Sequence, residues 1–136
     1  MNESILTSVK KLLGITEDYT EFDIDIIVHI NTVFTILNQL GVGPTKCFSI
    51  SDKTSVWSDF LGDSDDLELV KSYVPLKVRL LFDPPTNGNA MEATKRMIEE
   101  LEWRLFVTAE VATSTSYESS ITKKIIDDIV DSRFED

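Results

Sequence analysis

Little in this sequence can perform covalent chemistry or hold a metal. Among 136 residues there is one cysteine, Cys47, and one histidine, His29. A lone cysteine excludes an internal disulfide and fits a reducing compartment. A lone histidine leaves a zinc site dependent on Cys47 and carboxylates, a poor match to the usual ligand sets. Positive charge is also scarce, with 13 Lys and Arg against 24 Asp and Glu and a formal net charge of -11. That balance repels nucleic acid and anionic lipid, and no basic face of a DNA-reading module is visible. No apolar run approaches the roughly 18 residues of a membrane span. The start, Met1-Asn2-Glu3, lacks the pattern of a secretory leader. The expectation is a soluble product of the cytoplasm, with no membrane partner.

Glycine and proline are few, and they punctuate. The length suits one domain with a modest core. Ser4 to Leu13 sets Ile5, Leu6, Val9, Leu12 and Leu13 on one helical face, and Gly14 stands where a left-handed residue ends a helix. Thr20 or Asp23 can cap a second helix, whose acidic start suits the macrodipole. That helix runs to Leu40 and stops at Gly41-Val42-Gly43-Pro44. Its stripe is Phe22, Ile26, Ile30, Val33, Leu37 and Leu40, widened by Ile27, Phe34 and Ile36, so it is central in a bundle. Cys47-Ile50 is a candidate short extended segment. Thr54 or Ser55 can cap a short helix carrying Val56, Trp57, Phe60 and Leu61.

An acidic loop from Gly62 to Asp66 then caps a helix striped by Leu67, Val70, Val74, Val78 and Leu81. Pro75, which lacks an amide donor and clashes with the preceding turn, is expected to kink or break it. Phe82-Asp83-Pro84-Pro85 must end it, because a residue before proline leaves the α region. Asn87 offers the next cap. Ala90 to about Val111 reads as the longest helix, with Ala90, Ala93, Met97, Leu101 and Leu105 in its stripe and Ile98 beside it. Glu92/Arg96, Arg96/Glu100 and Glu100/Arg104 can brace the wet face at about 0.3–0.5 kcal/mol a pair. The Ser- and Thr-rich stretch Thr113 to Ser120 reads as a linker. Ile121, Ile125, Ile126, Ile129, Val130 and Phe134 then stripe a last, otherwise charged helix. The reading is an all-α bundle of four to six helices over residues 1–111, with 112–136 a linker and a C-terminal amphipathic helix, which either serves as a docking arm on a neighbour or the portal or packs back on its own bundle.

The chemical candidates are weak. His29 is expected at the boundary of the central helix, and Cys47 as a small buried hydrophobe. Asp63, Asp65, Asp66 and Glu68 lack the glycine and glutamate spacing of a calcium loop. Asp23 and Asp25 are two apart and cannot face each other on a helix. There is no nucleophile elbow and no glycine-rich phosphate loop. The expectation is a chain with no enzymatic role, no cofactor and no metal. Aromatic residues are enriched at subunit interfaces. Trp57, Phe60, Tyr73, Phe82 and Trp103 are therefore the candidates for subunit interface or docking, together with Ile121, Ile125, Ile129 and Phe134 of the arm; core packing is the competing use of the aromatics.

The block Leu76-Lys77-Val78-Arg79-Leu80-Leu81-Phe82-Asp83-Pro84-Pro85 with Tyr73 before it, followed by Met97-Ile98-Glu99-Glu100-Leu101-Glu102-Trp103-Arg104-Leu105, resembles the head–tail connector (adaptor) proteins of long-tailed bacteriophages and prophages. Trp57, Asp59, Phe60 and Leu61 add to it, and the resemblance covers about Ser4 to Leu105. Pro75 departs from the pattern. The resemblance implies a small helical bundle assembling as a ring of about twelve subunits, bound beneath the portal at the DNA-exit vertex. Head-completion or tail proteins would bind below, and DNA would pass through without specific binding. It implies manufacture in the bacterial host cytoplasm and a final place in the virion. A competing expectation is a small acidic regulatory protein-binding module of a prophage.

Overall fold

The computed structural model describes residues 3–62 and 64–134, with side chains described for 3–62, 64–111, 121–126 and 129. Among these residues there are five helices and no strand: α1 (Ile5–Leu12), α2 (Asp23–Gln39), α3 (Ser58–Leu61), α4 (Leu67–Phe82) and α5 (Gly88–Phe134). The fold is all-α. Cys47–Ile50 joins no strand ladder; the one β-type contact among the described residues is an isolated bridge between Ser4 and Val56.

α1 begins where a serine can cap it. The Ser4 hydroxyl accepts from the Thr7 amide at 3.3 Å, and Gly14 turns the chain at φ +80°. The caps of α2 and α3 differ from those expected, while α4 starts after Asp66 of the acidic loop, as expected. Phe22, Trp57 and Asp66 occupy those positions without a side-chain cap bond. Asp23 is instead the first residue of α2, and Thr54 turns back on Asp52, whose carboxylate accepts its amide at 2.8 Å. Asn87 does cap α5, its Oδ1 accepting from Asn89 N at 2.8 Å and Ala90 N at 3.3 Å.

α4 is one helix through Pro75, so the expected break is absent. Proline inside a helix forfeits a hydrogen bond and costs about 3 kcal/mol. Here its ring is buried beside Val74 and Val78, both fully buried, and apolar burial offsets part of that cost. The helix then ends at Phe82, before Asp83 and the two prolines. α4 is the centre of the fold: α2 and α5 pack mainly on it, and α1 fits against α2 and α4.

The core gathers Ile5, Leu6 and Val9 of α1, Ile26, Ile30, Val33, Phe34 and Leu37 of α2, and Val70, Tyr73, Val74 and Val78 of α4. Phe34, Phe48 and Phe60 form an aromatic cluster with centroids 4.8–5.4 Å apart. Gly43, at φ +96°, lies under Phe60, and a Cβ there would overlap its ring. The irregular stretch after α2 is held by Asn31, whose amide donates to Ile50 O at 2.9 Å and accepts from Ile50 N at 2.7 Å.

α5 departs from its expected form twice. It is continuous across Thr113–Ser120, so the backbone there is helical rather than a linker. Its buried stripe is also rotated: Ile98 and Leu105 are buried and Leu101 and Thr94 half-buried, while Ala90, Ala93 and Met97 face outward. The physical reason is angular. A row of residues four apart drifts about 40° per step around a helix of 3.6 residues per turn, whereas 94, 98, 101 and 105 alternate four and three and stay on one side.

Candidate functional site

The candidate interface residues divide sharply by position. Trp57, Phe60 and Tyr73 are buried, which makes them core and removes them from any surface. Trp57 sits with its indole N–H donating to Ser8 Oγ at 3.2 Å, and so ties the segment before α3 to α1. Phe82 is half-buried, edge-on to Phe22 at 5.5 Å and to His29 at 6.1 Å. His29 therefore takes the boundary position expected of it. Trp103 is different, being 65% exposed on the outer side of α5 with Phe106 exposed one turn on. In the distal part of α5, Ile121, Ile125, Ile126 and Ile129 are all exposed. The side chain of Phe134 lies outside the described residues.

A second exposed apolar surface is on α2, where helical spacing alone marks none. Ile24 is 79% and Val28 57% exposed, one turn apart and opposite the buried stripe, with Phe22 exposed beside the start of the helix. Along the same outer line stand Thr32, Thr35 and Gln39, also exposed or nearly so. A signal for this surface was legible: no Lys, Arg, Asp or Glu occurs from Ile26 to Thr45. A helix that turned an ordinary face to water would carry charge there. Charge returns at the start of α2, where Asp25 is exposed in the first turn and Glu17, Asp18 and Glu21 are exposed in the loop before it.

Charged side chains inside the bundle tie elements together. Lys10 is almost wholly buried; its Nζ meets Asp23 Oδ1 at 2.8 Å and donates to Tyr19 O at 2.7 Å and Glu17 O at 3.1 Å. Two backbone oxygens accept hydrogen bonds from it and the Asp23 carboxylate pairs with its charge, so the loop between α1 and α2 is fastened by a desolvated but partnered ammonium. Asp23 Oδ1 meets it as an ion pair without hydrogen-bond geometry. Between α4 and α5, Lys77 Nζ lies 3.6 Å from Glu102. The Tyr73 hydroxyl is buried there with no bonding partner in good geometry. Burial, and secondarily the Glu102 carboxylate, push its pKa well above the usual phenol value. Of the expected surface pairs, Arg104 and Glu100 meet at 2.9 Å, both more than half exposed.

No group of three or more His, Cys, Asp or Glu among the described residues is placed to hold a metal. Cys47 is exposed, not the buried hydrophobe expected from its apolar neighbours, because the segment after Gly43 runs over the surface; its Sγ lies 3.7 Å from Thr35 Oγ1. An open cleft of about 500 Å³ between the end of α1 and the following loop, lined by Thr7, Lys11, Gly14, Ile15, Thr16 and Glu17, contains neither histidine nor thiol. No helix among the described residues is long and apolar enough to cross a membrane.

The family model described as phage connector protein matches residues 5–112. No curated protein and no solved structure matches the chain. The match spans most of the sequence, including α1 to α4 and the packed part of α5, and the chain belongs to the phage connector family.

Proposed function

We propose that this chain is a structural adaptor of a phage particle. Copies of it form a ring of about twelve subunits by the closed rotational symmetry usual for homo-oligomers. The ring sits beneath the portal at the DNA-exit vertex, and head-completion or tail proteins attach below it. The chain is made in the bacterial host cytoplasm and ends at the head–tail junction of the virion. It works without a catalytic step, cofactor or membrane.

The observation that carries this reading is the family match across residues 5–112. The charge supports the passage of DNA. At a formal charge of -11 per chain, such a ring carries more than about a hundred negative charges before screening. Lining a channel with part of that charge repels the phosphate backbone, so the genome slides past without sticking.

Electron microscopy of particles carrying a tagged chain, with co-purification against the portal protein, tests the assignment. Density and tag at the head–tail vertex are expected. Particles that complete their tails without the chain, or a stable monomer or dimer held by a host regulatory protein, would replace the adaptor reading with that of an acidic regulatory module. Separately, an assembled ring that binds duplex DNA tightly through its channel at moderate salt would sink the passage mechanism.

A further inference from the structure

We propose that Asn87-Gly88, at the corner between α4 and α5, is a site of spontaneous covalent modification in the folded chain. Attack by the Gly88 amide expels ammonia from Asn87 and turns it into aspartate or isoaspartate. The inference stands apart from the adaptor reading. It needs no catalytic group, because the chain's own backbone supplies the nucleophile and water completes the reaction. A backbone nitrogen reaches the carboxamide of the residue before it most easily when its own residue has no side chain to crowd the approach, and glycine has none. Of the chain's asparagines, only Asn87 precedes a glycine. The fold leaves this pair open. Asn87 and Gly88 are both exposed, and apart from chain neighbours and the helix's own backbone no atom lies within 4 Å of where a Gly88 side chain would begin. Gly88 is also the first residue of α5, so its amide is one of the orphan donors of a helix start and is not locked into the ladder. The other described asparagines are placed differently. Asn31 lies inside α2 ahead of the β-branched Thr32, its carboxamide bonded at both ends to Ile50. Asn38 precedes Gln39 in α2, and Asn89 precedes Ala90 in α5.

The step balances without an oxidant or a cofactor. The Gly88 nitrogen gives its proton to solvent base and attacks Asn87 Cγ. The new C–N bond closes a cyclic imide as the Cγ–Nδ2 bond breaks, and Nδ2 takes a proton and leaves as ammonia. Water then opens the ring at one of its two carbonyls. Opening at Cγ restores the ordinary backbone with an aspartate side chain. Opening at the main-chain carbonyl leaves the chain running through Cγ, as isoaspartate. Either product adds a negative charge to a chain already at -11. Their consequences for α5 are opposite. Asn87 Oδ1 accepts from Asn89 N at 2.8 Å and Ala90 N at 3.3 Å, and Asn87 O accepts from Met91 N at 2.9 Å. An aspartate keeps these acceptors and suits the positive end of the macrodipole. An isoaspartate lengthens the backbone by a carbon and displaces both acceptors, so the cap and the first bond of the ladder are lost together. The buried residues of α5, Ile98 and Leu105, lie beyond that turn, so the bundle stays packed while its α4–α5 corner loosens.

Ageing the purified full-length chain in heavy-oxygen water, at neutral and at mildly alkaline pH, tests the site. After trypsin digestion, the peptide from Leu80 to Lys95 holds both Asn87 and Asn89, and fragmentation mass spectrometry separates them. Heavy oxygen should enter at Asn87 and not at Asn89, with isoaspartate in excess over aspartate. Entry should be faster at the higher pH, because the Gly88 amide must shed its proton. Gly88→Ala should slow it at least about tenfold, since the added methyl group crowds the attack. No label at Asn87 in the folded chain, label only after denaturation, or a rate that Gly88→Ala leaves unchanged would each overturn the proposal. Circular dichroism before and after ageing shows that the folded chain was the reactant. The effect on α5 has its own readout in hydrogen exchange at the Met91 amide. Exchange there should be several-fold faster in the isoaspartate fraction than in Asn87→Asp, which keeps the cap. Equal exchange in the two would refute the loosened corner.

Discussion

The two ends of α5 carry similar residues at similar spacing and meet opposite fates. Between Thr94 and Ala109 the stripe of Ile98, Leu101 and Leu105 lies against α4, with Ile98 and Leu105 buried. Between Ile121 and Ile126 an equally apolar stripe is exposed, Ile125 at 52%. Helical spacing shows that a helix has an apolar side. It does not show whether that side is covered by the same chain. The proximal half packs into the bundle; the described apolar side chains of the distal half do not.

The largest expected effect tests the proximal half. Leu105→Ala should cost about 2–5 kcal/mol, the range for removing a buried leucine, read as a shift in the denaturant midpoint at unchanged slope. A cost under about 1 kcal/mol would mean that the packing of α5 on α4 contributes little, and the contrast with the distal half would collapse.

Next in size is the tie that holds the bundle by polar means. Lys10→Met keeps most of the apolar stem and removes two hydrogen bonds to backbone oxygens and the ion pair with Asp23. It should cost about 2 kcal/mol, in the range for hydrogen bonds to a charged group, and less than a wholly buried pair would, since Asp23 is partly solvated. Unchanged thermal stability would show that loop to be fastened by its apolar contacts alone.

A smaller, pH-dependent effect belongs to Tyr73 at the α4–α5 seam. Its folded pKa is raised by burial and then by Glu102, so the folded state holds that proton more tightly than the unfolded chain. The stability this contributes is fully present below the unfolded value near 10, and falls as pH rises above it by at most about 1.4 kcal/mol per unit. Tyr73→Phe should flatten that alkaline loss and change neutral-pH stability by about 1 kcal/mol or less. An alkaline denaturation profile identical to that of the wild type would reject this assignment.

Smallest of all should be Ile125→Ala in the monomer. Exposed positions usually stay within about 0.5 kcal/mol, so the denaturant midpoint should not move. A loss comparable with that of Leu105→Ala would mean that the distal stripe is part of the monomer core, and the comparison would be broken from its other side.

Much of the fold was legible in the residues. Most of the faces of α1 and α2, the stop at Gly41 to Pro44, the end of α4 before Pro84 and the Asn87 cap follow from local rules, because each depends on a side chain and its near neighbours in sequence; Leu12 and Phe22, expected in those faces, are exposed at the helix ends. The site was less legible. Trp57, Phe60 and Tyr73 were interface candidates by residue type and proved to be core, since aromatic bulk suits both places equally. Ile24 and Val28 were overlooked because helical spacing marks the residues along one line and says nothing of those opposite it. Asn31 and Lys10 were unmarked for a different reason: their partners are a carboxylate and backbone groups in other segments, which no spacing rule reaches.

By itself the sequence determined an all-α chain with its main breaks and an acidic net charge, because helical period, turn chemistry and net charge are sums over local choices; the phage connector family rests instead on the match over residues 5–112. Only the tertiary structure decided which apolar residues are hidden and which are offered. That depends on where α4 places its neighbours and on how far α5 runs past the last of them, and both are long-range packing outcomes. Lys10 makes the same point from the polar side: a lysine that composition would place in water lies buried, because the fold brings three oxygens to it.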